Sequence, residues 1–171
     1  WVWNNGMDDE TAKVCQEYKA QCLGGSGENV SFAHANNQAA RHFRGDVFLL
    51  NNDVFLQKGC YEAMLTSRKE GAEIVGAKLI YPNGYVQHFG VGFSRDYMPF
   101  HIGRGEPPNS LWGSEARIVP AVTFACTLVE RKLWNALNGL DEAYFYSYED
   151  TDFCLRARGI GAKCAVDNHA V

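Results

Sequence analysis

The chain has 171 residues, 46% of them hydrophobic and 13% aromatic, enough to bury one core and short for two. Its formal charge of -4 leaves no footprint for nucleic acid or for an anionic membrane, whose binders cluster Lys and Arg. Six cysteines, Cys15, Cys22, Cys60, Cys126, Cys154 and Cys164, show neither a CxxC pair nor zinc-ligand spacing, which reads as free thiols rather than a disulfide framework.

Trp1 to Trp3 is β-prone and runs into the turn signal Asn4-Asn5-Gly6, with Asp8 and Asp9 as helix caps for a helix from about Thr11 to Cys22. Leu23 to Asn29 is rich in Gly and Ser and reads as a loop, and Ala33 to Phe43 as a helix. The apolar run Asp46 to Leu50 suits a strand buried on both faces of a parallel sheet, and it stops at Asn51-Asn52-Asp53. A helix from about Gln57 to Glu70, a strand from Glu73 to Ile80 and the turn Tyr81-Pro82-Asn83-Gly84 follow. Alternating strand and helix is the α/β pattern.

From Tyr85 to Ser114 aromatics, Gly and Pro dominate, with His88, His101 and Trp112, and the stretch reads as an irregular excursion facing a substrate. Regular structure resumes with the apolar run Ile118 to Val129, a helix from near Arg131, and a helix from Asp150 to Arg158 closed by Gly159. No run reaches the roughly 18 apolar residues of a membrane span. The N-terminus has no signal-peptide plan. A cytoplasmic, soluble protein is expected, with peripheral attachment to the inner face of a membrane left open.

Two constellations carry chemistry. In the first, the strand ending at Leu50 delivers Asp53 to its C-terminal end, where open α/β sheets bind ligands, and a carboxylate there can hold Mg²⁺ or Mn²⁺. The bland alternative is an Asx turn. In the second, Asp141, Glu142, Glu149, Asp150 and Asp152 are interleaved with aromatics from Tyr144 to Tyr148. Aromatic walls stack on sugar faces and lower the local dielectric, which moves a carboxylate toward the pKa of a general base. Here the bland alternatives are a capping role for Asp150 and an ion pair between Asp152 and Arg156. A third feature, Asn29 to Asn37, is an ordinary helix initiation by itself.

In this order the pieces resemble the family-2 glycosyltransferases, inverting enzymes of the GT-A nucleotide-diphospho-sugar transferase fold, over nearly the entire chain. Asn4-Asn5-Gly6-Met7-Asp8-Asp9 is similar to the family's Asp-Asn-x-Ser-x-Asp turn, Asn29 to Asn37 to its Asn-x-Gly-Phe-Ala-x-x-x-Asn segment, and Asn51-Asn52-Asp53 falls on the Asp-x-Asp position. Tyr81 to Gly84 with Gln87-His88-Phe89-Gly90 resembles the rhamnosyltransferase-like branch. Gly139-Leu140-Asp141-Glu142, Tyr148-Glu149-Asp150-Thr151-Asp152 and Arg156 resemble the catalytic region.

The resemblance implies a Rossmann-like mixed α/β sheet flanked by helices, forming one transferase core with residues 1–84 as the nucleotide-sugar and metal half and 85–171 as the acceptor and catalytic half. It implies a divalent metal, Mn²⁺ or Mg²⁺, on Asp53 with Asn51 as a weaker ligand. Asp150 is implied as the catalytic base with Glu149 beside it, and Asn4, Asp8, Asp9, Asn37 and Asn52 as donor-binding residues. His88 and Trp112 are implied as acceptor contacts. The partners implied are a nucleoside-diphosphate sugar and a glycan or lipid-linked acceptor in surface polysaccharide synthesis. Relatives begin with a further strand and end with a further His, so the chain reads as lacking its N-terminal strand and its C-terminal end, and either pairing with a second copy or weak nucleotide affinity is expected. The rival readings are a nucleotidyltransferase, against which stands the lack of a Gly-rich cationic loop, and an inactive nucleotide- or carbohydrate-binding fragment.

Overall fold

The computed structural model describes residues 1–6, 9–24, 29–109 and 116–171. Val2–Asn4 (β1) leads into helix Asp9–Glu17 (α1), shorter than predicted because Lys19 turns the chain at φ 54°. The chain then re-enters as Cys22–Gly24 (β2), parallel to β1 with Val2 opposite Cys22. Pairing across the pair overrides the weak local signal that reads as a loop. Phe32–Ala40 (α2) is capped by Ser31, whose hydroxyl accepts from His34 N–H at 3.1 Å.

Val47–Leu50 (β3), Cys60–Lys69 (α3) and Ile74–Ala77 (β4) follow. Arg117–Ile118 (labelled β9 below), Cys126–Val129 (β10) and Cys164–Asp167 (β11) complete the central sheet, in the order β3-β10-β4-β11-β9. β10 is antiparallel to both β3 and β4, and β11 is parallel to β4. The sheet is therefore mixed, as the resemblance implies. The expectation of a parallel neighbour for residues 46–50 is corrected, since β3 lies at the sheet edge with an antiparallel partner. Strands from both halves of the chain interleave from β3 to β11, and β9 adds a second neighbour from the second half.

Alternate residues of each strand supply opposite faces. Ile74 and Val129 join Phe153, Ala157 and Ala33 in one buried cluster, and Val75 and Leu128 join Met64 and Cys60 in the other. Helix α3 covers the second face, with Cys60, Met64 and Ser67 on a single stripe. Arg131–Ala136 (α4) and Glu149–Gly159 (α5) cover the first with α2. α5 ends at Gly159, and the left-handed turn that follows it is made by Gly161, φ 88°. All six cysteines are free.

The stretch expected as irregular holds one hairpin and the second strand of another, whose first strand is the end of the run expected as a single strand from Glu73 to Ile80. Leu79–Ile80 (β5) pairs with Val86–His88 (β6), and Val91–Phe93 (β7) with Pro99–His101 (β8). Strands of two or three residues carry too little periodicity to stand out among Gly and aromatics. Between them Gly90 sits at φ 95°, and a Cβ there would come within 2.7 Å of Val119 Cγ1. That close approach docks the hairpins on the loop before β10, where Val91 N–H donates to Ala121 O at 2.7 Å. The apolar run 118–129 is thus split by this loop instead of forming one element.

Candidate functional site

β3 ends in a turn. Asn51 N–H donates to Ala125 O at 2.8 Å, and Asn51 O accepts Val54 N–H at 3.3 Å, which leaves Asn51 half-buried and Asn52 and Asp53 exposed. Two non-glycine residues in the left-handed region, Ser147 at φ 68° and Tyr148 at φ 73°, swing the chain into α5. Such backbone is uncommon outside Gly and marks positions fixed by their surroundings. It places Glu149 and Asp150 in the first turn of α5, at the positive end of the helix dipole.

Asp150 is held from two sides. Its Oδ1 accepts Thr151 N–H at 2.6 Å and the Thr151 hydroxyl at 3.2 Å, and its Oδ2 accepts Phe124 N–H at 3.3 Å. Tyr148 occupies the N-cap position without a side-chain cap bond, so Asp150 combines its contact to a first-turn amide with its place on the cleft, and Asp152 pairs with Arg156 at 2.7 Å. Glu149 differs: its Oε2 is buried with no hydrogen-bond partner among the described residues. Burial raises its pKa and the neighbouring Asp150 adds to the rise, against a lowering by a backbone hydrogen bond.

A single cleft is lined by Asn4, Asn51, Asn52, His101, Glu149 and Asp150. The end of β3 and the start of α5, remote in sequence, therefore meet. Asp53 follows in the same turn but does not line the cleft. Asp9 is exposed at the first residue of α1 and lies outside it as well. Asn37 points elsewhere: its amide donates to Leu140 O at 2.9 Å and to Glu142 Oε1 at 2.9 Å, and its oxygen accepts Leu140 N–H at 2.9 Å. Asp8 and Trp112 lie outside the described residues. His88 is fully buried and cannot touch an acceptor, which corrects its expected role.

The sequence reading named His101 in the substrate-facing excursion but missed that it borders the cleft while its ring contacts His88. Thirteen residues and a change of hairpin separate the two, so no local period announces the pair. It missed Asn5 too, whose side chain clamps Val30 by donating to its carbonyl at 2.8 Å and accepting its N–H at 2.9 Å.

No family profile matches the chain. Among solved structures, GalNAc-T7 with UDP, GalNAc and Mn²⁺ superposes with a TM-score of 0.75 at 10% identity, over 95% of this chain and 34% of that one. The chain has the GT-A nucleotide-diphospho-sugar transferase fold. UDP-glucose pyrophosphorylase from Acinetobacter baumanii shares this GT-A arrangement more distantly, with a TM-score of 0.51 at 11% identity over 96% of this chain and 64% of that one.

In sequence, the GT-A chain is 31% identical over 148 residues to the O-antigen biosynthesis protein RfbC of Myxococcus xanthus, covering 80% of this chain and 12% of RfbC. It is 31% identical over 140 residues to the uncharacterized protein y4gI of Sinorhizobium fredii, covering 77% of this chain and 15% of y4gI. The chain thus spans a small part of these relatives. The glycosyltransferase resemblance read from the motifs agrees with both kinds of match. No helix among the described residues is long and apolar enough to cross a membrane.

Proposed function

We propose that this chain is the donor-binding and catalytic core of an inverting family-2 glycosyltransferase acting in the synthesis of a surface polysaccharide. The observation that carries the reading is the cleft shared by the end of β3 and the start of α5, with Asn51 and Asn52 on one side and Asp150 on the other. In such a cleft one end can hold the leaving diphosphate while the other receives the proton of the attacking hydroxyl. The GT-A fold and the similarity to a protein named for O-antigen biosynthesis support it.

Asp150 takes the general base role. Its carboxylate is already oriented by three donated hydrogen bonds and faces the cleft. A hydroxyl deprotonated there attacks the anomeric carbon in line with the departing diphosphate, which inverts the centre. Asn4 and Asn52 line the cleft as donor contacts. Glu149 lines the cleft beside Asp150, with one carboxyl oxygen buried and without a hydrogen-bond partner among the described residues.

For the cation, the oxygen donors at the end of β3 are the amides of Asn51 and Asn52, which line the cleft, and the carboxylate of Asp53, which follows in the same turn outside the lining and has to swing inward to reach a bound diphosphate. These are hard oxygen donors of the kind Mg²⁺ and Mn²⁺ accept, usually through one or two carboxylates with substrate phosphates completing the shell. No group of three or more His, Cys, Asp or Glu gathers among the described residues, so the protein alone forms no cage and the fit requires the diphosphate. Once bound, a divalent ion neutralises the charge that grows on the leaving group.

Calorimetry with UDP-, dTDP- and GDP-sugars, with and without Mn²⁺, tests the reading. Metal-dependent binding of a nucleoside diphosphate is expected. Indifference to both nucleotide and metal would leave an inert binding fragment. The second reading, a nucleotidyltransferase, is favoured only by the likeness to UDP-glucose pyrophosphorylase. It predicts binding of a nucleoside triphosphate in preference to the diphosphate sugar.

A further inference from the structure

Two histidines of the hairpins meet behind the cleft. His88 on β6 has no solvent exposure, and its Nδ1 lies 2.7 Å from Nδ1 of His101 on β8, the rings edge to face with centroids 5.0 Å apart. His88 Nε2 receives the backbone N–H of Thr123 at 3.3 Å. An imidazole nitrogen that accepts a hydrogen bond carries no proton, so neutral His88 holds its proton on Nδ1. That N–H can only be donated to His101 Nδ1, which must then offer a lone pair. The proton of His101 is thereby assigned to Nε2.

The arrangement has a direction, from the Thr123 amide through His88 to His101. Its last member borders the same cleft as Asp150. The next amide along the chain, Phe124 N–H, is the one that holds Asp150, so a two-residue segment of backbone fixes both groups. No partner takes the Nε2 proton of His101 among the described residues. Filling the core accounts for His88, which is buried, but not for His101, whose ring is exposed in the cleft.

Charge fits the same picture. Burial, with His101 adding, holds His88 down at about 3, and burial with Arg104 nearby lowers His101 against the opposing pull of Asp150. Protonating His101 would place an N–H on Nδ1 facing the N–H of His88. A neutral donor suits a sugar oxygen, whereas phosphate favours a cation. It does not suit the attacking oxygen itself, whose lone pair must stay free for the anomeric carbon.

We propose that His101 is a ligand-contacting residue whose Nε2–H grips a sugar oxygen adjacent to the hydroxyl that Asp150 deprotonates, and that His88 is the positioning residue that locks its tautomer. This rests on the glycosyltransferase reading above. Gripping a neighbouring oxygen orients the attacking hydroxyl, which is where a positioned donor gains most in a displacement.

The test uses the whole chain labelled with ¹⁵N in histidine. Long-range ¹H–¹⁵N correlation at pH 7 is expected to find His88 protonated on Nδ1 and His101 on Nε2, and the reverse pattern would overturn the assignment. With UDP and Mn²⁺ saturating, titration with methyl glycosides of glucose, galactose and mannose is expected to shift His101 Nε2 for at least one of them. His101→Phe should weaken that glycoside about fivefold, the loss of one neutral hydrogen bond, and leave UDP affinity unchanged. His101→Gln, which keeps an N–H near the same place, should recover part of it. A wild-type chain that binds none of UDP, dTDP and GDP would sink the transferase reading and the sugar contact with it; where dTDP or GDP binds instead, it replaces UDP in the titrations. UDP binding without any glycoside response, or with glycoside affinity equal in His101→Phe, would sink the contact alone.

Discussion

Phe124 donates its backbone N–H to Oδ2 of Asp150 at 3.3 Å, tying the loop before the central strand β10 to the first turn of helix α5. A change of carboxylate to amide keeps one accepting oxygen, so Asn can hold Phe124 N–H or Thr151 N–H but not both, a local loss of roughly 1–3 kcal/mol that the fold can absorb. Asp150→Asn is therefore expected to keep the fold and donor binding while losing the base. Turnover of a UDP-sugar should fall by about 10²- to 10⁴-fold, the usual contribution of a general base. Turnover within a few-fold of wild type, at unchanged UDP affinity, would remove Asp150 from the chemistry.

At the end of β3 the expected split is different. Asp53→Ala should abolish the part of UDP affinity that depends on Mn²⁺ and leave the metal-free part intact. Asn51→Ala should do the same more weakly, since an amide is a poorer ligand than a carboxylate. Calorimetry with Mn²⁺ and with chelator separates the two parts. Equal loss in both conditions would assign Asp53 to the fold of the turn rather than to a cation.

Asn37 predicts a structural effect. Its side chain satisfies both Leu140 N–H and Leu140 O, and it packs against Gly139 so closely that a Cβ on Gly139 would collide with its oxygen. Asn37→Ala should cost roughly 1–3 kcal/mol by leaving those groups unpaired. Gly139→Ala combines that collision with a φ of 73°, which disfavours a Cβ by about 1–2 kcal/mol before overpacking is counted. Urea unfolding of each variant measures the loss. A stability drop below about 0.5 kcal/mol in Asn37→Ala, joined to weaker UDP binding, would favour the donor-binding role that the motif implies.

How much of this was legible follows from how each signal is encoded. The runs Phe48 to Leu50 and Ile74 to Ala77 are continuous and apolar, so strands could be read directly; both faces are buried at Ile74 to Ala77, whereas the edge strand β3 leaves Leu50 exposed. That β3 pairs antiparallel with β10 could not, because pairing partners 76 or more residues apart leave no local mark. The cluster around Asp150 was visible as composition. Its separation from Asn37 and Glu142 was not, since the same acid-rich stretch contributes Glu142 to a hydrogen bond with His34 on another face. The His88 and His101 contact depends on two hairpins docking at Gly90, and only the assembled topology brings it about.

Glu149 and His88 predict opposite responses to pH. The Glu149 carboxyl is raised by burial, so the folded state holds its proton more tightly than the unfolded chain does. Its contribution to stability is present below the ordinary carboxyl value of 4.5 and is lost as pH rises through the folded value. Glu149→Gln should remove that loss and make the protein more stable at neutral pH relative to wild type. Thermal unfolding between pH 4 and pH 8 follows it, and a variant less stable than wild type at pH 7 would mean that the carboxylate has a partner in solution.

His88 acts in the other sense. Its folded value of about 3 lies below the ordinary 6.5, so between these limits the unfolded chain binds a proton that the folded chain refuses. Stability is full above 6.5, falls as pH drops below it, and stops falling only near 3. Each pH unit crossed costs roughly 1.4 kcal/mol, so going from pH 7 to pH 5 should cost roughly 2 kcal/mol from this residue alone. His101, also lowered and in contact with His88, adds in the same direction, while Asp150 opposes it and Arg104 reinforces it. Urea unfolding at pH 7 and pH 5 should find this acid-side loss in wild type and a loss smaller by roughly 2 kcal/mol in His88→Gln, which can accept from Thr123 and donate to His101 without titrating. An unchanged loss in the variant would mean that His88 takes up a proton within the folded protein, which the Thr123 amide on its Nε2 forbids unless the hairpin has opened.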